Sequence, residues 1–317
     1  MSAGPEISVV VPAHDRRERV ALLLDALREQ TLAPSQFEVI VVDDGSSDGT
    51  SELLDEAAGG DLPLRSIRRP AAAGPAVARN EGWRAARAAL VAFTDDDCEP
   101  APRWLERLLE AAAERPGHLL QGRTEPNPRE AAANGPFSRT IASTSLGPWF
   151  QTCNVAYPRD LLAHLGGFDE RYPSPGAEDT DLAWRAIEAG APASYVHDAL
   201  VHHAVNDLGP LGQLQVALRW TDAVWIFRRH PGLRRELHAG IFRKPSHPKA
   251  LLALAGLALC RRLPLALLAM LPYYREARGR LNAVGGSRRD VPYLFLHDLV
   301  ETAGAARGAV RYRVPVL

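Results

Sequence analysis

Residues Ala89-Leu90-Val91-Ala92-Phe93-Thr94-Asp95-Asp96-Asp97 pass from an apolar run straight into three consecutive carboxylates. An apolar run of about five residues reads as a strand buried on both faces, with the acids at its C-terminal end. In an open α/β sheet that end is where ligands bind. Three adjacent carboxylates repel one another unless something cationic sits among them, and hard divalent ions take carboxylate oxygens. A solvated acidic loop is the plain alternative for this stretch taken alone.

The rest of the first half builds the same kind of sheet. Glu6 to Pro12 reads as a first buried strand, followed by the polar loop Ala13 to Arg17 and a helix with Val20, Leu23, Leu24 and Leu27 on one face. Phe37 to Val42 is a second strand ending in Asp43-Asp44-Gly45-Ser46-Ser47-Asp48-Gly49-Thr50, a tight loop leading into a helix over 51–58. One member of the Asp43-Asp44 pair, Asp44 by preference, is expected to cap that helix. A weak strand at 64–67 and a helix over 76–89 precede the acid-tipped strand. Strands alternating with helices at this spacing argue for a mainly parallel, doubly wound sheet, with both acid clusters on one edge. The first loop lacks the Rossmann glycines and no Gly-Lys-Ser or Gly-Lys-Thr occurs, which disfavours a dinucleotide oxidoreductase and a P-loop enzyme.

Taken together and in order, Val9 to Ala13, Val41 to Thr50, Gly74 with Ala78-Arg79-Asn80, Phe93 to Asp97, Asn154, Gly166 to Glu170, and Glu178-Asp179-Thr180-Asp181-Leu182 with Arg185 resemble the family 2 glycosyltransferases of the GT-A fold. The match runs from about residue 6 to 205. It implies a metal-dependent, inverting transfer of one sugar from a nucleoside-diphosphate sugar, a uridine diphosphate sugar first among candidates, to an acceptor hydroxyl in glycan, glycolipid or cell-envelope synthesis. Pro12, Ala13, His14, Asp15 and Asp43 would hold base and ribose, and Arg79 would face the nucleotide or diphosphate. Asp97 would bind Mn²⁺ or Mg²⁺, while Asp95 or Asp96 would reach ribose and sugar hydroxyls or metal-bound water. Asp179 would take the acceptor's proton, Glu178 would orient Asp179 or the acceptor, and Asp181 would support the helix start. His203 would complete the metal or diphosphate site. Asn154 would either contact substrate or brace its loop, and Trp149, with Phe150, would either stack on a sugar or fill the core.

A metal suits this chemistry because breaking the bond to a nucleoside diphosphate leaves charge developing on phosphate oxygens, which a bridging divalent ion stabilises. Processive members of the family carry Gln-x-x-Arg-Trp; here Gln215 to Trp220 is one residue too long, which favours addition of a single sugar. Two other readings stand beside this one: a non-catalytic sugar-nucleotide-binding or assembly subunit, and a nucleotidyltransferase on a related sheet. The latter would ordinarily carry a glycine-rich first loop, and 12–17 has no glycine.

Charge divides the chain. Residues 1–226 carry a net −13 and residues 227–317 a net +12. The expected organisation is therefore a GT-A domain over 1–226 and an Arg-rich helical region over 227–317. Within the latter, the apolar runs 250–260 and 263–271 are each too short to span a bilayer, which takes about 20 residues. They read either as a buried helix pair or as a segment contacting a membrane surface through residues 250–274. Such contact would serve a lipid-linked acceptor; no nucleic acid partner is expected. Three widely spaced cysteines suggest neither a disulfide framework nor a zinc site, and the first six residues do not read as a secretory signal. A cytoplasmic location, peripheral on the membrane's cytoplasmic face, is the corresponding expectation.

Overall fold

The structure is a computed structural model that describes residues 4–172 and 176–317. Its chain divides into two compact units, one of residues 1–128 with 140–204 and one of residues 129–139 with 205–317. The division falls at 204/205, ahead of the change in charge at 226/227.

The first unit is built on an eight-stranded sheet in the order β3-β2-β1-β4-β8-β6-β9-β5. In chain order its elements are β1 (Ile7–Ala13), α1 (Arg17–Arg28), β2 (Phe37–Asp43), α2 (Thr50–Ala58), β3 (Leu64–Arg68), α3 (Pro75–Ala85), β4 (Leu90–Phe93), β5 (Cys98–Pro100), α4 (Trp104–Glu114) and β6 (Leu119–Pro126). A short strand of the second unit, β7 (Ser138–Arg139), intervenes before β8 (Val155–Pro158), α5 (Arg159–Leu165), α6 (Glu178–Glu188) and β9 (Ala193–His203). Strands β3, β2, β1 and β4 are mutually parallel, as are β6 and β9. Strands β8 and β5 run antiparallel to their neighbours.

Alternation sorts side chains to the two faces of this sheet. Ile7, Val9 and Val11 of β1 pack with Leu23, Leu27, Leu54 and Trp104 of α1, α2 and α4. Val10 points the other way, among Ala78, Trp83, Leu162 and Leu182 of α3, α5 and α6. With helices on both sides, the central strands are buried along almost their whole length, which is why they read as mainly apolar runs, with Ser8 and Glu38 paired to each other at 2.7 Å. The helix α3 ends four residues earlier than its composition suggests, because Ala86 turns to extended backbone and feeds β4.

Strand β9 runs unbroken in sequence through the polar pair His197-Asp198 but not in its pairing. Gly122 pairs with Val196 and Arg123 with Leu200, so residues 197–199 have no partner on β6 and bulge out. The polar pair His197-Asp198 sits in that bulge, exposed.

In the second unit, β7 pairs with β10 (Asn206–Asp207). A broken helical run follows: α7 (Gly209–Leu218), α8 (Trp220–Ala223) and α9 (Trp225–Arg229). Then come α10 (Ser246–Leu259), α11 (Leu271–Ala283) and α12 (Val291–Tyr312). Ala250, Ala253, Tyr273, Ala277, Leu281 and Leu294 make their shared core. Polar groups are buried beside it in pairs: Glu301 accepts from Lys244 at 2.6 Å and pairs with Arg243, while Asp298 accepts from Tyr273 at 3.0 Å and Arg280 at 2.7 Å. Among the described residues no helix is long and apolar enough to cross a membrane.

Candidate active site

The parallel register brings the strand ends together. Ala13 of β1 lies beside Asp43 of β2, and the amide of Thr94, just past β4, donates to Val10. The loops after β1, β2 and β4 therefore emerge on one edge of the first unit. They are stitched to one another: Asp15 accepts from the Ser47 amide at 2.7 Å, His14 Nδ1 bonds the Asp44 carbonyl at 2.9 Å, and the His14 amide donates to Asp96 at 3.4 Å. Asp15 takes a left-handed backbone, φ 47°, which a short polar side chain tolerates. Asp48 accepts from the Arg17 and Thr50 amides and so satisfies the starts of both α1 and α2.

Asp44 does not cap α2. Its carboxylate pairs with Arg69 Nε at 2.9 Å and accepts from the amides of Ala73 and Gly74, fixing the loop into α3. Asp43 is buried, its oxygens engaged by the Ser46 amide and the Ser51 hydroxyl. Pro12 and Ala13 close β1 beside it.

The acid run carries three different environments. Asp95 pairs with Arg79 Nη2 at 2.8 Å, and the other end of the same guanidinium donates to Glu178 at 2.9 Å. Arg79 thus joins the tip of β4 to the start of α6 across 99 positions of sequence. Burial opposes its charge, yet Asp95 and Glu178 hold it firmly protonated. Where the resemblance implies an Arg79 that faces the nucleotide or diphosphate, the structure has it buried, with its guanidinium engaged by these two carboxylates. Asp96 is recessed and pushed up to about 7, first by burial and then by the charges of Asp97 and Asp95, with Arg16 acting against them.

Asp97 is buried, 2.5 Å from Arg16 Nη1 through one oxygen and 3.5 Å from His203 Nε2 through the other. Strand β5 sets this up, since Cys98 pairs directly with His203. The Nδ1 of His203 lies 2.8 Å from the Ala204 carbonyl and donates to it, which turns Nε2 toward Asp97. One oxygen of Asp97, a ring nitrogen of His203 and the Cys98 sulfur all lie within 4.8 Å of one another. A neutral imidazole nitrogen and a carboxylate oxygen suit a divalent ion; the Cys98 thiol, which burial pushes well up, is the poor ligand of the three for a hard one.

At the start of α6, Glu178 accepts from Arg79 and from the Gly176 amide at 2.7 Å, and is buried. Asp179 accepts from the Thr180 amide at 2.7 Å and stays partly open to solvent. Burial, then the neighbouring charge of Glu178, push it up to about 7. Ala177, before the helix, holds φ 128°, a costly backbone for a residue with a side chain. Thr180 donates to the Trp149 carbonyl at 2.7 Å and Trp184 to the Pro148 carbonyl at 2.9 Å, so α6 also fixes the segment that carries Trp149, itself partly exposed. Asp181 pairs with Arg185 at 2.8 Å and supports the fold.

Of the two readings given for Asn154, the structure shows the bracing one. The residue is fully buried, accepts from Trp104 Nε1 at 2.8 Å and donates to the carbonyls of Arg123 and Ala199, both at 2.8 Å. Its carboxamide is spent on the protein and braces β6, β9 and α4 against one another. Gly122 makes room for it, since a Cβ there would lie 2.3 Å from the Asn154 oxygen.

Two residues take part to which sequence alone assigns no role. Arg16 places a guanidinium between Asp96 and Asp97, and Asn80 holds the Gly167-Phe168 turn through the Phe168 amide and carbonyl, each at 2.9 Å. Only the identity of Arg16, a cation in a loop beside acids, could have signalled the first.

Comparison with known proteins supplies the kinship. The model of the Glycosyl transferase family 2 domain matches residues 8–155. Glycosyltransferase AglE of Haloferax volcanii is 29% identical over 78% of this chain and 84% of its own length. The pre-mycofactocin glycosyltransferase of Mycobacterium tuberculosis is 32% identical over 63% of this chain, which spans 44% of that protein. Among solved structures, the mannosyltransferase PcManGT of Pyrobaculum calidifontis, in complex with GDP-Man and Mn²⁺, superposes with a TM-score of 0.61 at 23% identity, covering 98% of this chain and 88% of that one. Staphylococcus aureus TarS 1-349 in complex with UDP gives 0.55 at 17%, covering 96% and 91%. At such identities these likenesses speak to the fold, which is GT-A.

Proposed function

We propose that this chain, a member of glycosyl transferase family 2, moves a single sugar from a nucleoside diphosphate onto an acceptor hydroxyl with inversion at the anomeric carbon. The observation that carries the reading is the Arg79 bridge, which ties Asp95 to Glu178 and so sets the start of α6 against the β4 acids. The loops of Pro12 to Asp15 and of Asp43 receive base and ribose, and Asp95 or Asp96 reaches ribose and sugar hydroxyls or metal-bound water. Asp179, recessed and raised to about 7, is the group matched to accepting a hydroxyl proton near neutrality. Glu178 and Arg79 hold it in place, and Trp149 borders the acceptor side. One base and one displacement invert the centre.

Asp97 and His203 would hold the divalent cation, Mn²⁺ or Mg²⁺, and the ion would supply Lewis-acid stabilisation of charge on the departing diphosphate. Relatives solved with GDP-Man and Mn²⁺ or with UDP support a nucleoside-diphosphate donor; a uridine diphosphate sugar is the first to try. The acceptor is a lipid-linked or otherwise anionic hydroxyl compound of glycan or envelope synthesis, met at the cytoplasmic face of a membrane.

The test is a donor screen by thermal unfolding with UDP, GDP, dTDP and their sugars, with Mn²⁺ or with EDTA. One diphosphate should raise the melting temperature only with metal, and Asp97→Ala should lose that shift. Ligand at about 100 times its dissociation constant stabilises by roughly 2.7 kcal/mol. No shift with any diphosphate in the folded protein defeats the proposal.

A further inference from the structure

We propose that α10, the turn after it and the start of α11 form a docking face for an anionic lipid surface, on which the second unit lies without spanning. The face is recognised by an inversion of the usual packing. Helix α10 turns its small residues inward, with Ala250, Ala253 and Gly256 buried, and its large ones outward, with Leu252, Leu257 and Leu259 exposed. The 3-10 helical segment Pro264–Met270 folds back on that small-residue face. The approach is so close that a Cβ on Gly256 would lie 2.5 Å from the Ala266 carbonyl oxygen. What this segment leaves outside is again leucine: Leu263 is 56% exposed, Leu265 72% and Leu268 59%. A helix pair folded for an aqueous surface would carry its leucines on the other side. So many exposed leucines on two segments packed against each other mark an interaction site.

Charge selects the occupant. From Ser246 to Arg275 there is no Asp or Glu, while Lys249, Arg261, Arg262 and Arg275 are present. Arg261 and Arg262 sit exposed at the tip between the two leucine-bearing segments, and Arg275 is exposed with Tyr274 at the start of α11. Apolar side chains rimmed by arginines and a tyrosine match the boundary between acyl chains and phosphate headgroups. A second copy of the chain fits worse, because Glu276 is taken up by Lys249 and a twofold contact through this face would set Arg261, Arg262 and Arg275 against their own copies. The length of α10, 14 residues, suits lying on a bilayer and not crossing it.

The experiment is vesicle flotation of the full chain, with no nucleotide present, so its outcome is separate from that of the donor screen. Vesicles of phosphatidylcholine with phosphatidylglycerol should carry the protein to the top of the gradient. Vesicles of phosphatidylcholine alone should carry much less, and added salt should weaken the anionic binding. The double variant Leu265→Glu/Leu268→Glu should lose binding by about tenfold or more. Because both side chains already face outward, it should melt where the parent does. Arg261→Gln/Arg262→Gln should lose the preference for anionic vesicles while keeping any residual apolar binding. Three results overturn the proposal: no flotation with anionic vesicles, equal flotation by the leucine variant, or a vesicle-independent dimer that the leucine variant dissociates.

Discussion

Replacing Asp179 with Asn should make the protein more stable at neutral pH while stopping transfer. Burial, then the charge of Glu178, raises Asp179 from an ordinary 3.8 to about 7. Between those values the folded chain keeps a proton that the unfolded chain has lost. Stability from this group is therefore full below about pH 4 and declines as pH rises to about 7. A difference of about three pH units corresponds to at most about 4 kcal/mol. The carboxylate is partly open to solvent, so about 2 kcal/mol is the better expectation. Asn keeps an oxygen for the Thr180 amide and has no charge to desolvate. Urea unfolding followed by tryptophan fluorescence should show the variant ahead by that amount above about pH 7, with the gap closing toward about pH 4. Its donor-induced thermal shift should persist, transfer should fall about a hundredfold or more, and the parent's rate should climb with pH through about 7. A gap that does not change with pH, or an Asn variant less stable than the parent at neutral pH, refutes the reasoning.

Arg79→Met should cost about 3–5 kcal/mol in urea unfolding because it strands buried Glu178, and the double variant Arg79→Met/Glu178→Gln should recover most of the loss. A loss under about 1 kcal/mol would mean the bridge is not what joins β4 to α6. Arg16→Gln should tighten Mn²⁺ binding without donor by about tenfold, read by electron paramagnetic resonance, because the guanidinium and the ion compete for Asp97. Unchanged or weaker binding would show that Arg16 does not occupy the cation's place. Asn154→Ala should cost about 2–5 kcal/mol, leaving the Trp104 indole and two carbonyls unpartnered, while the KM for acceptor in the folded variant stays as in the parent. A raised KM would return Asn154 to the acceptor side.

What could be read from sequence was local. The apolar runs that end in acids announced both the strands and their ligand-bearing edge, because a buried parallel strand and a carboxylate each leave their mark within a few residues. What could not be read was pairing at a distance. Arg79 meets Glu178, Arg16 meets Asp97, and Asn154 meets Trp104, and no feature near any of these residues specifies its partner. Asp44 shows the same limit: a carboxylate before a helix looks like a cap, yet Arg69 and the Gly74 amide claim it. The bulge in β9 was hidden for a different reason, since His197-Asp198 interrupts apolarity as a turn would while pairing resumes beyond it.

The order of strands also bears on synthesis. Strand β8 lies between β4 and β6, and β9 lies between β6 and β5. As the chain leaves the ribosome, β5 is made early but has no neighbour until β9 emerges about a hundred residues later. His203 arrives last of all the site residues, at the end of that strand. A fragment cut at residue 155, where the matched family domain stops, would thus keep the Asp95 to Asp97 run and lose the strand that holds β5 in the sheet. Such a fragment should bind the ribosome-associated chaperones and aggregate, and the shortest productive fragment of the first unit should extend through residue 204.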